Sequence, residues 1–225
     1  HGKAKRQCNS CGRQFTPDPV DRRIPASTWQ LVDRLLLEKL PLAGISRVTG
    51  VSERWLQVYV NRKYEEVPRE VEVTSKKGVL TIQADELWSF VNDKGHEQWV
   101  WLALDEKTRE IVGVNIGARD LSGAQGLWDS LPEVYRQCAI TYTDFWVCYE
   151  EIIPRERHKP VSKGSGRTSY IERFNNTLRQ RVSRLVRKTL SFSKKVENHI
   201  GAIWLFVHHY NENIRARLSL VTNPT

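Results

Sequence analysis

The stretch Thr81-Ile82-Gln83-Ala84-Asp85-Glu86-Leu87-Trp88 decides how this chain is read. Its apolar, β-favouring residues predict a buried strand, yet it carries two adjacent carboxylates. A charge inside a buried strand is costly unless it is paired or bound to metal. Neighbouring strand residues face opposite ways, so either Asp85 or Glu86 must point into a polar site. Working outward, Val79 to Val91, Gln98 to Leu104 and Ile111 to Ile116 are β-favouring runs. The hairpin-like turns Asn92-Asp93-Lys94-Gly95 and Asp105-Glu106-Lys107-Thr108 separate them. A helix is expected from Ser122 to about Gln137, then a fourth strand at Ala139-Ile140-Thr141-Tyr142-Thr143. Asp144 follows at that strand's C-terminal end, where ligand sites in α/β sheets commonly lie. A helix starting near Ser169 carries Ile171, Phe174, Leu178, Val182 and Leu185 on one face, and a last helix runs from about Lys194 to Asn211. The order β-β-β-α-β-α-α is an α/β fold led by three antiparallel meander strands.

The segments before this region have a different character. Leu31, Leu35 and Leu36 follow a helical period from Ser27. Leu42 to Val48 and Glu53 to about Asn61 read as two further helices around the turn Thr49-Gly50-Val51-Ser52, with Ser52 as N-cap. Ile45 and Val48 are expected to face inward, and Leu56 with Tyr59 or Val60 to anchor the second helix. This fits a helix-turn-helix template, and it also fits a plain helical hairpin. On the helix-turn-helix reading, Arg54, Gln57 and Asn61 stand exposed, and they are side chains that pair with guanine or adenine edges. Lys63 to Lys77 reads as a charged linker with one short strand at Val71-Glu72-Val73.

Cys8-x-x-Cys11 followed by Gly12 and an aromatic is a zinc-knuckle spelling: two thiolates at this spacing bite one tetrahedral ion. A redox pair would instead sit between a strand and a helix. Zinc needs two more ligands; His1 is a weak candidate, so the missing pair is expected upstream. The chain has no Met and starts at His1, which predicts a fragment of a longer reading frame. Cys138 and Cys148 lack ligand spacing and read as ordinary buried cysteines.

Composition narrows the classes. Hydrophobic residues make up 40% of the 225, which excludes a disordered chain. No apolar run approaches the ~18 residues of a membrane span, and no secretory h-region is visible. Four Cys are too few for a disulfide scaffold, so a reducing compartment is expected. The net charge of +9 points to a polyanionic partner, and its distribution is uneven. Residues 151–195 hold 13 basic and 3 acidic residues, against 22 and 23 in the rest. The whole excess lies in one fifth of the chain.

That basic segment contains a third carboxylate. Glu172 shares its helical face with Asn176 and Arg179, opposite the apolar stripe. Ser169-Tyr170-Ile171-Glu172 also spells a capping box, in which Glu172 only caps its own helix. Asp144 alone can equally be a turn residue. Two strand carboxylates and one helix carboxylate together form a hard oxygen site suited to one or two Mg²⁺ ions. Such a pair of ions activates a water or hydroxyl at a phosphodiester. Asp105, Glu106, Asp120 and Asp129 read as solvated or capping, and Trp88, Trp99, Trp101, Trp128 and Trp204 as core.

The runs Asp85-Glu86-Leu87-Trp88, Tyr142-Thr143-Asp144-Phe145-Trp146 and Ile171-Glu172-Arg173-Phe174-Asn175-Asn176-Thr177-Leu178-Arg179 resemble transposases of the insertion-sequence-one family. So does Arg187-Lys188-Thr189-Leu190-Ser191-Phe192-Ser193-Lys194. The match runs in order from the Cys-x-x-Cys to His208-His209-Tyr210-Asn211. The resemblance implies a DDE transposase: a zinc-finger-like module at 1–23, a helix-turn-helix at 24–63, a linker at 64–78 and an RNase H-like catalytic domain at 79–225. It implies that Asp85, Asp144 and Glu172 are the acidic triad holding two Mg²⁺, with Mn²⁺ able to substitute. Arg179 matches the basic residue after the Glu, and Asn176, Arg173 and Arg181 are expected DNA contacts beside it. Zn²⁺ at Cys8 and Cys11 would require the upstream ligands. The implied partners are double-stranded DNA, at the element's ends and at the target, and a second copy of the chain. The implied location is cytoplasmic, at the nucleoid. Arg215-Ala216-Arg217 departs from the family's Arg-x-His. A non-catalytic DNA-binding regulator and an RNase H-like nuclease are the alternative readings.

Overall fold

The fold, taken from a computed structural model, is described for residues 5–15, 17, 23–73, 78–162, 164–185 and 193–222. His1 and the run 187–192 of the last motif lie outside the described residues. A short hairpin of β1 (Arg6–Gln7) and β2 (Gln14–Phe15) comes first, then α1 (Ala26–Leu36), α2 (Leu42–Thr49) and α3 (Glu53–Glu66). The remaining elements are β3 (Thr81–Leu87), β4 (Trp99–Asp105), β5 (Ile111–Gly117), α4 (Leu121–Ser130), α5 (Glu133–Cys138), β6 (Ile140–Thr143), α6 (Val147–Ile152), β7 (His158–Pro160), α7 (Ser169–Arg181) and α8 (Val196–Thr222).

Strand β3 lies at the centre of a mixed five-stranded sheet of order β5-β4-β3-β6-β7. The β3–β4 and β4–β5 pairs are antiparallel, as the two turns predict, while β6 joins β3 in parallel and β7 joins β6 in parallel. Helices flank both faces, an α/β arrangement compatible with an RNase H-like fold. Period-two alternation divides the core. Ile82, Ala84, Trp101 and Ala103 pack with Leu127, Tyr135 and Tyr149 of α4, α5 and α6. Leu87, Val100, Leu102 and Leu104 pack with Ile171, Phe174 and Leu178 of α7 and Ile203 and Phe206 of α8. Val32, Ile45, Leu56 and Val60 of α1–α3 belong to that same second cluster. Helix α3 lies against α8 so closely that a β-carbon at Gly201 would collide with Tyr64.

Several elements depart from the sequence reading, each for a local reason. The expected helix over 122–137 is two helices, because Pro132 has no N–H to give and becomes the N-cap of α5. Strand β7 and helix α6 were not anticipated; three and six residues are too short to show a period, and Pro160 fits only a sheet edge. Helix α7 ends at Arg181, so Val182 and Leu185 are buried through a 3-10 turn at Ser183–Leu185 rather than as helical face positions. Helix α3 continues to Glu66, where a linker was expected from Lys63, and Val71-Glu72-Val73 forms no strand. Val48 is exposed rather than inward-facing; Val51, in the turn, is buried instead. Gly50 makes that turn at φ 72°, a left-handed conformation natural to glycine, and Ser52 Oγ accepts from Trp55 N–H at 3.3 Å.

Buried polar contacts pin helices to the sheet and to the segment that follows β3. Gln83 Oε1 accepts the N–H groups of Tyr170 and Ile171 at 3.0 and 3.1 Å. Asn211 of α8 makes two 2.8 Å bonds with the backbone of Ile111, the first residue of β5. His199 of α8 meets Ser89 Oγ at 3.2 Å.

Replacing Gln83 with Leu strands two buried N–H groups. It is expected to lower the unfolding free energy by about 1–3 kcal/mol in urea titration, with faster hydrogen exchange at Tyr170 and Ile171. His199 carries the pH dependence of this packing. Burial, with the Arg184 charge adding to it, pushes its pKa down from 6.5 to about 4. The unfolded chain therefore binds the extra proton first as pH falls. The stability contribution is full above about 6.5 and is lost down to about 4. A His199→Gln variant should show a flatter stability profile over that window.

Candidate active site

Alternation along β3 sends its two carboxylates to different faces. Asp85 lies on the α7 face. Asn175 of α7 donates to its Oδ2 at 2.8 Å. Glu86 lies on the other face, where Arg119 binds its Oε1 at 2.5 and 3.0 Å and the Tyr149 hydroxyl donates to its Oε2 at 3.0 Å. The guanidinium of Arg119 also lies over the rings of Trp99 and Trp146. Both residues of the doublet contribute to the lining of the polar cleft, but Glu86 is held by the Arg119 pair while Asp85 is bonded to α7.

Asp144 follows β6. The parallel register pairs Gln83 with Tyr142. Carried two residues further, it sets Asp144 beside Asp85. The Asp144 Oδ1 accepts from Trp146 N–H at 3.1 Å, closing the turn into α6. Beneath it, Thr143 Oγ1 donates to the Asp144 carbonyl at 2.6 Å and meets His158 Nε2 at 2.7 Å. The unanticipated strand β7 therefore holds the backbone at Asp144 through His158.

Glu172 stands exposed on the first turn of α7, where its Oε1 accepts from the Thr168 hydroxyl at 2.8 Å. Thr168 is the N-cap, and it has no capping bond to the backbone. The capping-box spelling is therefore not used as such: Gln83, from β3, takes the N–H groups at this helix start. Asp85, Asp144 and Glu172 line one cleft of about 410 Å³ together with Asn176 and Arg179. Arg179 donates to the Trp88 carbonyl at 3.3 Å. Burial pushes the Asp85 pKa up to about 7, and the charges of Glu86 and Asp144 add to the rise. As the side chains stand, no three His, Cys, Asp or Glu among the described residues are close enough to share an ion. The donor set itself is three carboxylates without thiol or imidazole, which by type suits a hard cation such as Mg²⁺.

The other expected site residues lie apart from this cleft. Cys8 and Cys11 sit on the β1–β2 hairpin, with Gly12 at φ 71° and its N–H donating to the Cys8 carbonyl at 2.9 Å. The Cys8 thiol is held down to about 6, chiefly by the Ser10 hydroxyl. Both are free thiols. Arg54 and Gln57 are exposed on α3. Asn61 is half-buried rather than exposed, because its Oδ1 accepts from Asn198 of α8 at 3.1 Å and from Gln57 at 2.7 Å. Arg173 and Arg181 lie on the opposite flank of α7 from Glu172, and Arg181 is paired with Glu38 at 2.5 Å. Of the two readings of Asp105, solvated or capping, the second holds: it is buried and caps its turn, accepting from Lys107 N–H and Thr108 N–H, and it also accepts from the Tyr135 hydroxyl. Cys138 is exposed rather than buried.

Sequence reasoning passed over Asn175, Thr168 and Gln83. Asn175 left a signal: it is a polar residue flanked by Ile171, Phe174 and Leu178 on a helix whose buried face they form.

Comparison with known proteins gives the family to which this cleft belongs. The family model described as IS1 transposase matches residues 78–211, which hold the whole cleft. Insertion element iso-IS1n protein InsB of Shigella dysenteriae is 34% identical over 131 residues, 58% of this chain and 96% of that protein. Insertion element IS1 protein InsB of Shigella flexneri is 35% identical over 134 residues, 59% of this chain and 98% of that protein. The InsB protein of insertion element IS1 4 of Escherichia coli K12 is 34% identical over 134 residues, 59% and 77% of the two chains. The chain belongs to the IS1 transposase family, and a transposase role follows from that membership. No helix among the described residues is long and apolar enough to cross a membrane.

The buried Glu86 of β3 and Asp144, in the turn after β6, should respond differently to substitution. Removing the Arg119 guanidinium (Arg119→Ala) leaves Glu86 buried without its charge partner. A loss of about 1–3 kcal/mol is expected in urea titration. Asp144→Asn, at a half-exposed turn, is expected to change stability by less than about 0.5 kcal/mol.

Proposed function

We propose that this chain is a DDE transposase, binding the terminal inverted repeats of its insertion sequence and catalysing phosphodiester cleavage and strand transfer. The observation that carries the reading is the single cleft lined by Asp85, Asp144, Glu172 and Arg179 in a member of a transposase family. Asp85, Asp144 and Glu172 would hold Mg²⁺, or Mn²⁺ in its place. When bound, two such ions supply activation of a water or hydroxyl and stabilise the leaving oxygen.

The chain's own groups set the geometry. Asn175 and the β3 backbone fix Asp85, the Thr143–His158 contact fixes the turn at Asp144, and the Gln83 amide fixes the helix that carries Glu172. Glu172 sits on the wall of the same cleft, where the Thr168 hydroxyl holds its carboxylate. Arg179 and Asn176 offer donors to a phosphate lying in the cleft. After cleavage, the freed 3′-hydroxyl attacks target DNA from the same place, so no covalent bond between protein and DNA is needed.

The remaining assignments belong to the same proposal. The helices of 24–63 act as a helix-turn-helix in which Arg54 and Gln57 read base edges, with Asn61 orienting Gln57. Arg173 and Arg181 contact backbone phosphates. Cys8 and Cys11 bind Zn²⁺ with ligands from outside the described residues. Two element ends must be joined, so the active form is at least a dimer.

End-containing duplex DNA should be cut in the presence of Mg²⁺ and left intact in EDTA. Asp144→Asn should slow cutting by at least about 100-fold, since the metal terms are worth several kcal/mol. Undiminished cutting by that variant would sink the triad assignment. Binding of the ends without any metal-dependent cutting would identify a regulator, and preference for branched over end-containing DNA a nuclease.

A further inference from the structure

Helix α7 separates two clefts. Glu172, Asn176 and Arg179 face the carboxylate cleft, while Tyr170, Arg173 and Arg181 face a larger one of about 650 Å³, closed by α8 and the β4–β5 turn. Four guanidinium groups line this second cleft: Arg109, Arg173, Arg181 and Arg217. Among the described residues, no carboxylate lines it. Arg109 is held there by the fold. Among the described residues it is one of two non-glycine residues with positive φ, at 69°, and its guanidinium lies 3.0 Å from the centre of the Tyr170 ring. A bulky side chain in that backbone conformation costs energy, which the surrounding structure must offset.

The hydrogen-bonding account of the cleft is incomplete in one direction only. Among the described residues, Arg109 Nη1 and Arg181 Nε are buried and have no acceptor. Buried N–H groups in folded proteins nearly always find partners. Arg181 already gives one nitrogen to Glu38, but the groups left without partners are all donors on guanidinium side chains, so the group that completes the cleft is an anion with several acceptor oxygens. Arginine forks match phosphate oxygens in geometry, and Tyr170 and Tyr210 add aromatic surface beside them.

We propose that this cleft binds the phosphodiester backbone of DNA at a second place, separate from the scissile bond. The α7 helix between the clefts is roughly 10 Å across. At about 3.4 Å per nucleotide of one strand, the bound phosphate lies about three nucleotides from the bond being cut. This site assigns roles to Arg109 and Arg217, and it gives Arg173 and Arg181 a common ligand. It rests on the reading that the chain acts on DNA, though not on the catalytic step.

The test uses the full chain and a duplex DNA carrying the element end, with affinity followed by fluorescence anisotropy across a salt series. Arg217→Gln and Arg109→Gln are each expected to weaken binding about tenfold at low salt. Each should reduce the slope of log affinity against log salt by about one, the signature of one lost phosphate contact. Arg217 is exposed, so its variant remains informative even where Arg109→Gln disturbs the fold. A wild-type slope in both folded variants overturns the proposal. So does a change in sedimentation without a change in slope, which would give the cleft to an acidic segment of a second copy. Cutting by the wild type with unchanged slopes in the variants defeats this site alone. Reduced slopes without any cutting defeat the catalytic reading alone.

Discussion

The carboxamide of Gln83 is buried in the central strand, and its oxygen accepts the N–H groups of Tyr170 and Ile171 at the start of α7. The first N–H groups of a helix have no partner within it, so a helix that begins against a sheet needs an acceptor from outside. Here that acceptor is two residues from Asp85 on the same face of the same strand. One contact therefore fixes the height and rotation of α7, and with it the distance of Glu172 from the strand carboxylates. The same placement brings Asn175 to Asp85 one turn further along. The β3–β6 register then sets the remaining carboxylate, so the walls of the cleft are all referred to one strand.

This dependence explains which parts of the site were legible in the sequence. The β3 run announced itself because two charges interrupt an apolar strand, and the logic that one must face a polar site held: Asp85 does. The alternation could not say which one, because that depends on the partners of the other. Arg119 and Tyr149, which occupy Glu86, come from segments with no motif of their own. Asp144 was legible from its place after a strand. The capping-box spelling at Ser169 misled, because the helix N-terminus is satisfied across the fold by Gln83 rather than locally. Contacts of that kind join residues some ninety positions apart and leave no short-range pattern. The same holds for His158, on a strand too short to show a period.

Helices α1–α3 present a related case. Their sequence suggested a module followed by a charged linker. Yet α3 continues to Glu66, and its Tyr64 lies against Gly201, with the Arg184 guanidinium over the Tyr64 ring at 5.4 Å. The signal for an end near Asn61 was the loss of apolar periodicity. That loss reflects a helix end held by a few separate contacts, Tyr64 against α8 and Lys63 paired with Asp33 of α1 at 2.9 Å, rather than by a continuous apolar stripe. The contact with α8 explains why Asn61 turned out half-buried while Arg54 and Gln57 stayed exposed.

The basic segment can now be divided. As sequence it was one block of charge beside Glu172. Folded, Arg179 lies in the carboxylate cleft, and Arg173 and Arg181 line the cleft across α7. Arg184, Lys194 and Lys195 line a third groove, of about 490 Å³, beside Gln57 and Asn61 of α3. Helix α7 puts roughly 10 Å between the first two clefts, about one Debye length at physiological salt. At that separation each cleft answers mainly to its own charges. Long-range attraction of a polyanion draws on the whole excess, since it is the summed field that steers an approaching ligand. Short-range placement draws on the local sets. A chain with this charge pattern gains affinity from the total and register from the division, which is what a protein needs if it must hold one strand at a bond to be cut and the same strand a few nucleotides away.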